Sequence, residues 1–301
     1  MRVFVTGASG FVGSAVVKEL INAGHQVLGL ARSATAAKVI LSLEAEVYHG
    51  DLTDLEGLRK AVASVDAVIH TGFNHDYSKF AENCELDSKA IEAMGSVLIG
   101  TKKPLIITSA IGVLSSVDRL LTEEDMPFSN SPNPRIASEF AADALIAKGV
   151  KVAVVRLPTT VHGEGDHGFV PILIRLSKEK GHVAYKGEGL NRWPATHVLD
   201  VARLYRLAIE KEFPAGIRLH AMAEEGLFFK DIAGAVGKGL NLPTEGKSPE
   251  ATVEYFGWFS HFIGLNCPAS SQQTRAFFGW QPQHVTLLED LQGAAYFPLK
   301  K

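Results

Sequence analysis

The stretch Thr6-Gly7-Ala8-Ser9-Gly10-Phe11-Val12-Gly13 decides how this chain folds. It follows a short apolar run, residues 2–6, and opens a segment with helical periodicity, residues 11–23. Glycines at 7, 10 and 13 have the GxxGxxG spacing of a dinucleotide-binding turn. Gly7 permits the tight turn, Gly10 lets backbone approach a pyrophosphate, and Gly13 lets helix and strand pack closely. The free N–H groups and the dipole at the helix start favour that anion. A bare glycine triplet is weak evidence; with a strand before it and a helix after it, within a βαβ unit, it becomes specific.

Working outward, apolar runs recur at 26–31, 46–48, 66–70, 105–109 and 151–157, separated by helical patterns at 55–64, 80–99 and 134–148. Continuous apolar strands alternating with helices predict an α/β protein with a doubly wound parallel Rossmann sheet. The second half is less regular. A glycine-rich loop at 163–168, a short strand and turn within 182–193, a helix at 199–210 and a strand at 216–221 precede a helical region broken by Pro243, Pro249, Pro268 and Pro282. Residues 1–157 are read as the Rossmann core, with 195–221 returning to it. Residues 158–194 and 222–301 are read as a smaller C-terminal substrate-binding lobe.

Composition excludes several classes. The 301 residues are 46% hydrophobic and 21% charged with a formal net charge of −3, so nothing points to nucleic acid or an anionic membrane surface. No apolar run is long enough to span a bilayer, and no basic-then-apolar leader is visible, so a cytoplasmic protein is expected. Cys84 and Cys267 are too few for a disulfide framework and lack metal spacing; no metal is expected.

Two positions bear on the choice of dinucleotide. Arg32 ends the second apolar run, where an acid would hold the ribose of NAD and an arginine suits the 2′-phosphate of NADP. NADP(H) is therefore the preferred expectation, with NAD(H) admitted; a solvated surface arginine is the plain alternative. Asp51, in Gly50-Asp51-Leu52, is placed to accept from the adenine amino group, or to serve as a helix-start charge with Thr53 as the cap.

The chain resembles the extended short-chain dehydrogenase/reductase family, which includes the NAD-dependent epimerase/dehydratases. The resemblance rests on TGASGFVG at 6–13, GDLTD at 50–54, VIHTG at 68–72, IITSA at 106–110, RLPTTVHG at 156–163 and HVLDVARL at 197–204. It implies that Gly7, Ser9, Gly10, Phe11, Val12, Gly13, Leu52, His70, Pro158 and Val161 border the dinucleotide, with the Val161 N–H on the carboxamide. It also implies a small-molecule substrate and a homodimer formed through exposed helices of the sheet.

The resemblance breaks at the catalytic pair. The family pairs a Ser or Thr with Tyr-x-x-x-Lys, the Tyr being the general acid or base. Ser109 matches the serine, but Arg135 stands where Tyr belongs and Glu139 where Lys belongs; neither Tyr nor Lys occurs between Lys103 and Lys148. Arginine does not release its proton near neutral pH. Spacing i, i+4 on one helix predicts an Arg135–Glu139 ion pair, and Glu139 is also placed to accept from ribose hydroxyls. Proton transfer is then expected from His75 or Tyr77, in the loop after the fourth strand, or from water held by Ser109. The plain alternative is a polar surface loop. Arg192-Trp193 and the aromatic stretch 256–262 are read as either ligand contacts or packing. The expected function is an atypical NADP(H)-dependent oxidoreductase acting on a small carbonyl or hydroxy compound. The alternatives are an epimerase/dehydratase-type isomerase and a non-catalytic NADP(H) sensor.

Overall fold

The computed structural model describes residues 1–114 and 119–297. The last four residues of the range read as the lobe lie outside these. The first half alternates β1 (Arg2–Thr6), α1 (Phe11–Asn22), β2 (Gln26–Ala31), α2 (Ala34–Ser42), β3 (Glu46–His49), α3 (Leu55–Ala63), β4 (Ala67–His70), α4 (Phe80–Ser96), β5 (Leu105–Ala110), α5 (Ala137–Ile146) and β6 (Val152–Leu157). The second half runs β7 (Thr160–His162), α6 (Phe169–Lys180), β8 (Val183–Lys186), β9 (Arg192–His197), α7 (Val198–Glu210), β10 (Ile217–His220), β11 (Glu224–Phe228), α8 (Phe229–Leu240), β12 (Thr244–Lys247) and α9 (Pro249–Phe256), with short helices beyond.

Seven strands form one parallel sheet in the order β10-β6-β5-β4-β1-β2-β3. Its strands are apolar on both faces because both are covered. Val3, Val5, Ile69, Ile106 and Val155 pack against α1 and α7, which contribute Val16, Leu20, Leu204 and Tyr205. The alternate residues Phe4, Val68, Leu105, Ile107 and Val154 meet Leu58 of α3, Ile91 of α4 and Leu145 of α5. The order reverses beside β1, so the turns after β1 and β4 border one crevice at the strands' carboxyl ends, where ligands bind in such sheets.

The lobe holds a three-stranded sheet, β11-β9-β7, and a two-stranded pair, β12-β8. Its core gathers Val170, Leu173, Trp193, Phe229, Ile232 and Phe259. Trp193 is therefore lobe packing rather than a ligand platform, lying edge-on to Phe229 at 4.8 Å. Several elements depart from the pattern expected. The strand at 192–197 begins inside the range read as a short strand and turn, 182–193, and β11 breaks register between Glu224 and Leu227. Asp200 does more than complement the α7 dipole. Buried near the helix start, it accepts from the Gln283 and His284 N–H groups at 2.9 and 3.0 Å and so ties the C-terminal segment to the sheet.

Candidate active site

A cleft of about 830 Å³ runs from the glycine loop to the lobe. At one end Gly7 adopts φ +67, which L side chains rarely take. A Cβ at Gly13 would stand 2.0 Å from the Gly7 carbonyl oxygen, so loop and helix touch there as only glycine allows. Gly10 is the N-cap of α1 and offers no side-chain cap, leaving the first helical N–H groups open to the cleft. This is a fit for a pyrophosphate: donors, dipole and space coincide.

Gly7, Ser9, Gly10, Phe11, Val12 and Gly13 line this end, with Arg32, Asp51 and Leu52 beyond them. Asp51 accepts from the Thr53 N–H at 2.9 Å, and the cap of α3 is Asp54, which accepts from the Gly57 N–H, rather than Thr53. Pro158 and Val161 line the opposite wall. Two expected cofactor residues are placed elsewhere. His70 is buried behind the wall, its Nδ1 2.6 Å from Thr6 Oγ1 and its Nε2 2.9 Å from Asp87 Oδ1. Glu139 is fully buried, and both its oxygens are taken by Arg156, at 2.8 Å from Nε and 2.7 Å from Nη2. Neither side chain lines the cleft, so the ribose role expected for Glu139 is corrected.

The expected Arg135–Glu139 pair does not form either. Arg135 sits in a 3-10 turn, Pro134–Ile136, before α5 begins, so the i, i+4 geometry of a helix does not connect the two. Arg135 Nη1 instead meets Asp87 Oδ2 at 2.9 Å and also Ser138, and Nη2 donates to the Thr108 carbonyl at 2.8 Å. Its guanidinium lies 4.5 Å over the Phe73 ring and faces the cleft. Asp87 thus bridges His70 and Arg135, and these contacts hold its carboxyl below the ordinary range despite burial.

Ser109 reaches the cleft, but its hydroxyl donates to Glu139 Oε1 at 2.8 Å. Glu139 is kept ionised chiefly by Arg156, against the cost of burial, so Ser109 has no proton to offer a substrate oxygen. Tyr77 stacks on Trp258 at 4.7 Å, and burial pushes its hydroxyl up to about 12. It stands in an aromatic wall of the cleft. His75 is open to the cleft. Desolvation by the walls, then repulsion from His167 and Arg135, holds its imidazole below its ordinary value, so it is neutral at pH 7. His167 lines the cleft against Phe11, whereas His162 is buried on Asp290 at 2.6 Å. Among the described residues no cluster of three or more His, Cys, Asp or Glu side chains is arranged to hold a metal, and both cysteines are buried and unpaired.

The family model of the NAD-dependent epimerase/dehydratase family matches residues 3–218. The chain belongs to the NAD-dependent epimerase/dehydratase family. It has the fold of an NAD(P)-binding oxidoreductase or epimerase. An uncharacterised Schizosaccharomyces pombe protein is 48% identical over 99% of this chain and 100% of its own length. The 2-alkyl-3-oxoalkanoate reductase of Stenotrophomonas maltophilia is 29% identical over 71% of this chain and 67% of its own. The dTDP-glucose 4,6-dehydratase DesIV of Streptomyces venezuelae, solved with NAD and TYD, superposes with a TM-score of 0.79 at 20% identity, over 99% of this chain and 96% of that one. NAD is also named in other matched complexes, among them a UDP-glucuronic acid 4-epimerase from Bacillus cereus. This overturns the expected preference for NADP(H). Arg32 is an exposed side chain at the cleft mouth. No helix among the described residues is long and apolar enough to cross a membrane.

Proposed function

We propose that this chain is an NAD(H)-dependent enzyme that moves a hydride to or from a carbonyl or carbinol carbon of a small molecule. One observation carries the reading: a single cleft joins the glycine loop to a chamber containing His75 and Arg135. Bound NAD(H) would supply or accept the hydride. Residues 7–13 would seat the pyrophosphate, Asp51 would reach the adenosine, and Pro158 and Val161 would border the nicotinamide. Neutral His75 would take the proton of a carbinol hydroxyl as it is oxidised.

A reductase makes this exchange once; an epimerase or dehydratase oxidises the substrate first and returns the hydride later. DesIV favours the second course and the oxoalkanoate reductase the first, and both begin from the same arrangement. The test is calorimetric binding of NAD+ and NADH, followed by turnover with dTDP-glucose, UDP-glucose and simple ketones. Net NADH consumption marks a reductase; altered sugar with no net NADH change marks an isomerase. Absence of NAD(H) binding would remove the proposal.

A pH profile checks His75. Because its folded pKa lies below about 6.5, the oxidation rate is expected to hold at neutral pH and to fall as acid protonates the ring. His75→Ala is expected to lose about 10²-fold in rate and this acid limb with it. Tyr77→Phe should retain the limb. A limb that persists in His75→Ala would assign the base elsewhere.

A further inference from the structure

We infer that the substrate end of the cleft takes an apolar, planar carbonyl compound, such as an aryl ketone, with its oxygen received by Arg135. The inference rests on the hydride-transfer reading of this cleft. Three features carry it.

The first is the wall. Tyr77 and Trp258 stack at 4.7 Å with their planes 18° apart, Phe262 stands edge-on to Tyr77 at 5.4 Å, and Phe169 leans on Phe262 at 4.8 Å. All four line the cleft, and Trp258 is 51% exposed although stacked. Large rings left open to water in a concave site gain by covering a flat apolar body.

The second is that several polar side chains beside the wall are already committed to protein partners, although Thr160 Oγ1 in the cleft lining has none. Asn74 Nδ2 donates to Asn83 at 3.1 Å. Asn133 Nδ2 donates to the Gly112 carbonyl at 3.0 Å, while its Oδ1 accepts the Arg135 N–H. Thr108 Oγ1 donates to the His70 carbonyl and Ser109 to Glu139. A polyhydroxylated ligand buried here would find these partners already committed, and unmatched polar groups are costly to bury.

The third is Arg135. Of its five N–H donors, the contacts to Asp87, Ser138 and Thr108 use three, which leaves two for a ligand oxygen. Asp87 and the Phe73 ring fix the plane of the fork. In the reducing direction the carbonyl carbon gains the hydride that NADH gives up, the C=O π pair moves onto the oxygen facing Arg135, and a solvent proton relayed by His75 completes the carbinol as NAD+ forms. A fixed cation at that oxygen stabilises the charge developing on it.

The test is calorimetric titration of the full chain, with and without NADH, using 2-acetylnaphthalene and UDP-glucose as probes. The ketone is expected to bind at least about tenfold more tightly than UDP-glucose. Trp258→Ala removes an exposed ring, so the fold is retained; it should weaken the ketone by about tenfold and leave NADH affinity unchanged. Arg135→Met should weaken the ketone as well. UDP-glucose binding as tightly as the ketone, or ketone affinity indifferent to Trp258→Ala, would overturn the inference. Failure of NADH alone to bind would strike the hydride-transfer reading and leave the ketone titration of the free protein to decide the substrate class.

Discussion

Gly10→Val is expected to abolish dinucleotide binding in a protein that stays folded. Gly10 has extended backbone, φ −82 and ψ 174, which a β-branched residue adopts readily. A Cβ there would meet only the Gly7 carbonyl oxygen, at 3.2 Å, a contact the loop can relax. The branched methyls would then cover the open N–H groups at the start of α1 and fill the pyrophosphate's place. Gly13→Val should behave differently. Its Cβ would lie 2.0 Å from the same carbonyl oxygen, so the loop itself would be displaced and melting temperature would fall together with binding. Calorimetry with NADH beside thermal melting separates the two. Unchanged affinity in folded Gly10→Val would show that this loop is not the phosphate cradle.

Arg156→Met is expected to destabilise the protein by about 3–5 kcal/mol, because it leaves the buried Glu139 carboxylate without its bidentate partner and with only Ser109 and the more distant Arg218, at 3.8 Å, beside it. The Ser109 hydroxyl cannot replace a bidentate guanidinium. The double variant Arg156→Met with Glu139→Leu should recover most of the loss, since apolar replacement of a whole buried pair is often nearly neutral. The pH dependence has a definite sign. The folded pKa of Glu139 is depressed, so the pair's contribution is present above the unfolded value of about 4.3 and is lost as pH falls through the folded value. The gap between parent and Arg156→Met, measured by denaturant melts, should narrow in acid. A gap that is small at pH 7 or constant with pH would refute the assignment.

The parallel sheet and its glycine loop were legible because burial on both faces writes strands as continuous apolar runs, and because a tight phosphate turn demands glycine at fixed intervals. The lobe was less so. β12 reads Thr244-Glu245-Gly246-Lys247, with almost no strand signal, and exists because it pairs with β8. The absence of Tyr-x-x-x-Lys could be read directly, but the roles of the replacements could not. Arg135 and Asp87 are 48 positions apart, and a local spacing rule paired Arg135 with the wrong carboxylate. The signal for Glu139 lay in Arg156, a charged residue inside an otherwise apolar strand that needs a buried partner. The aromatic stretch divides by exposure: Phe256 and Phe259 pack inside, whereas Trp258 and Phe262 face the cleft. The dinucleotide preference failed because one exposed arginine near a ribose site carries too little information to choose between cofactors.

The position of β10 at the edge of the main sheet has a consequence for biosynthesis. β6 pairs with β5 on one side and with β10 on the other, yet residues 158–216 separate β6 from β10 in the chain. A nascent polypeptide that has just completed β6 therefore presents Val152, Val154 and Val155 along an unpaired strand until residue 220 has emerged. Such an edge is a template for pairing with a neighbouring copy on the same message. Any fragment ending near residue 157 keeps that hazard permanently, so the two halves of the chain cannot be cut apart there and each expected to remain soluble.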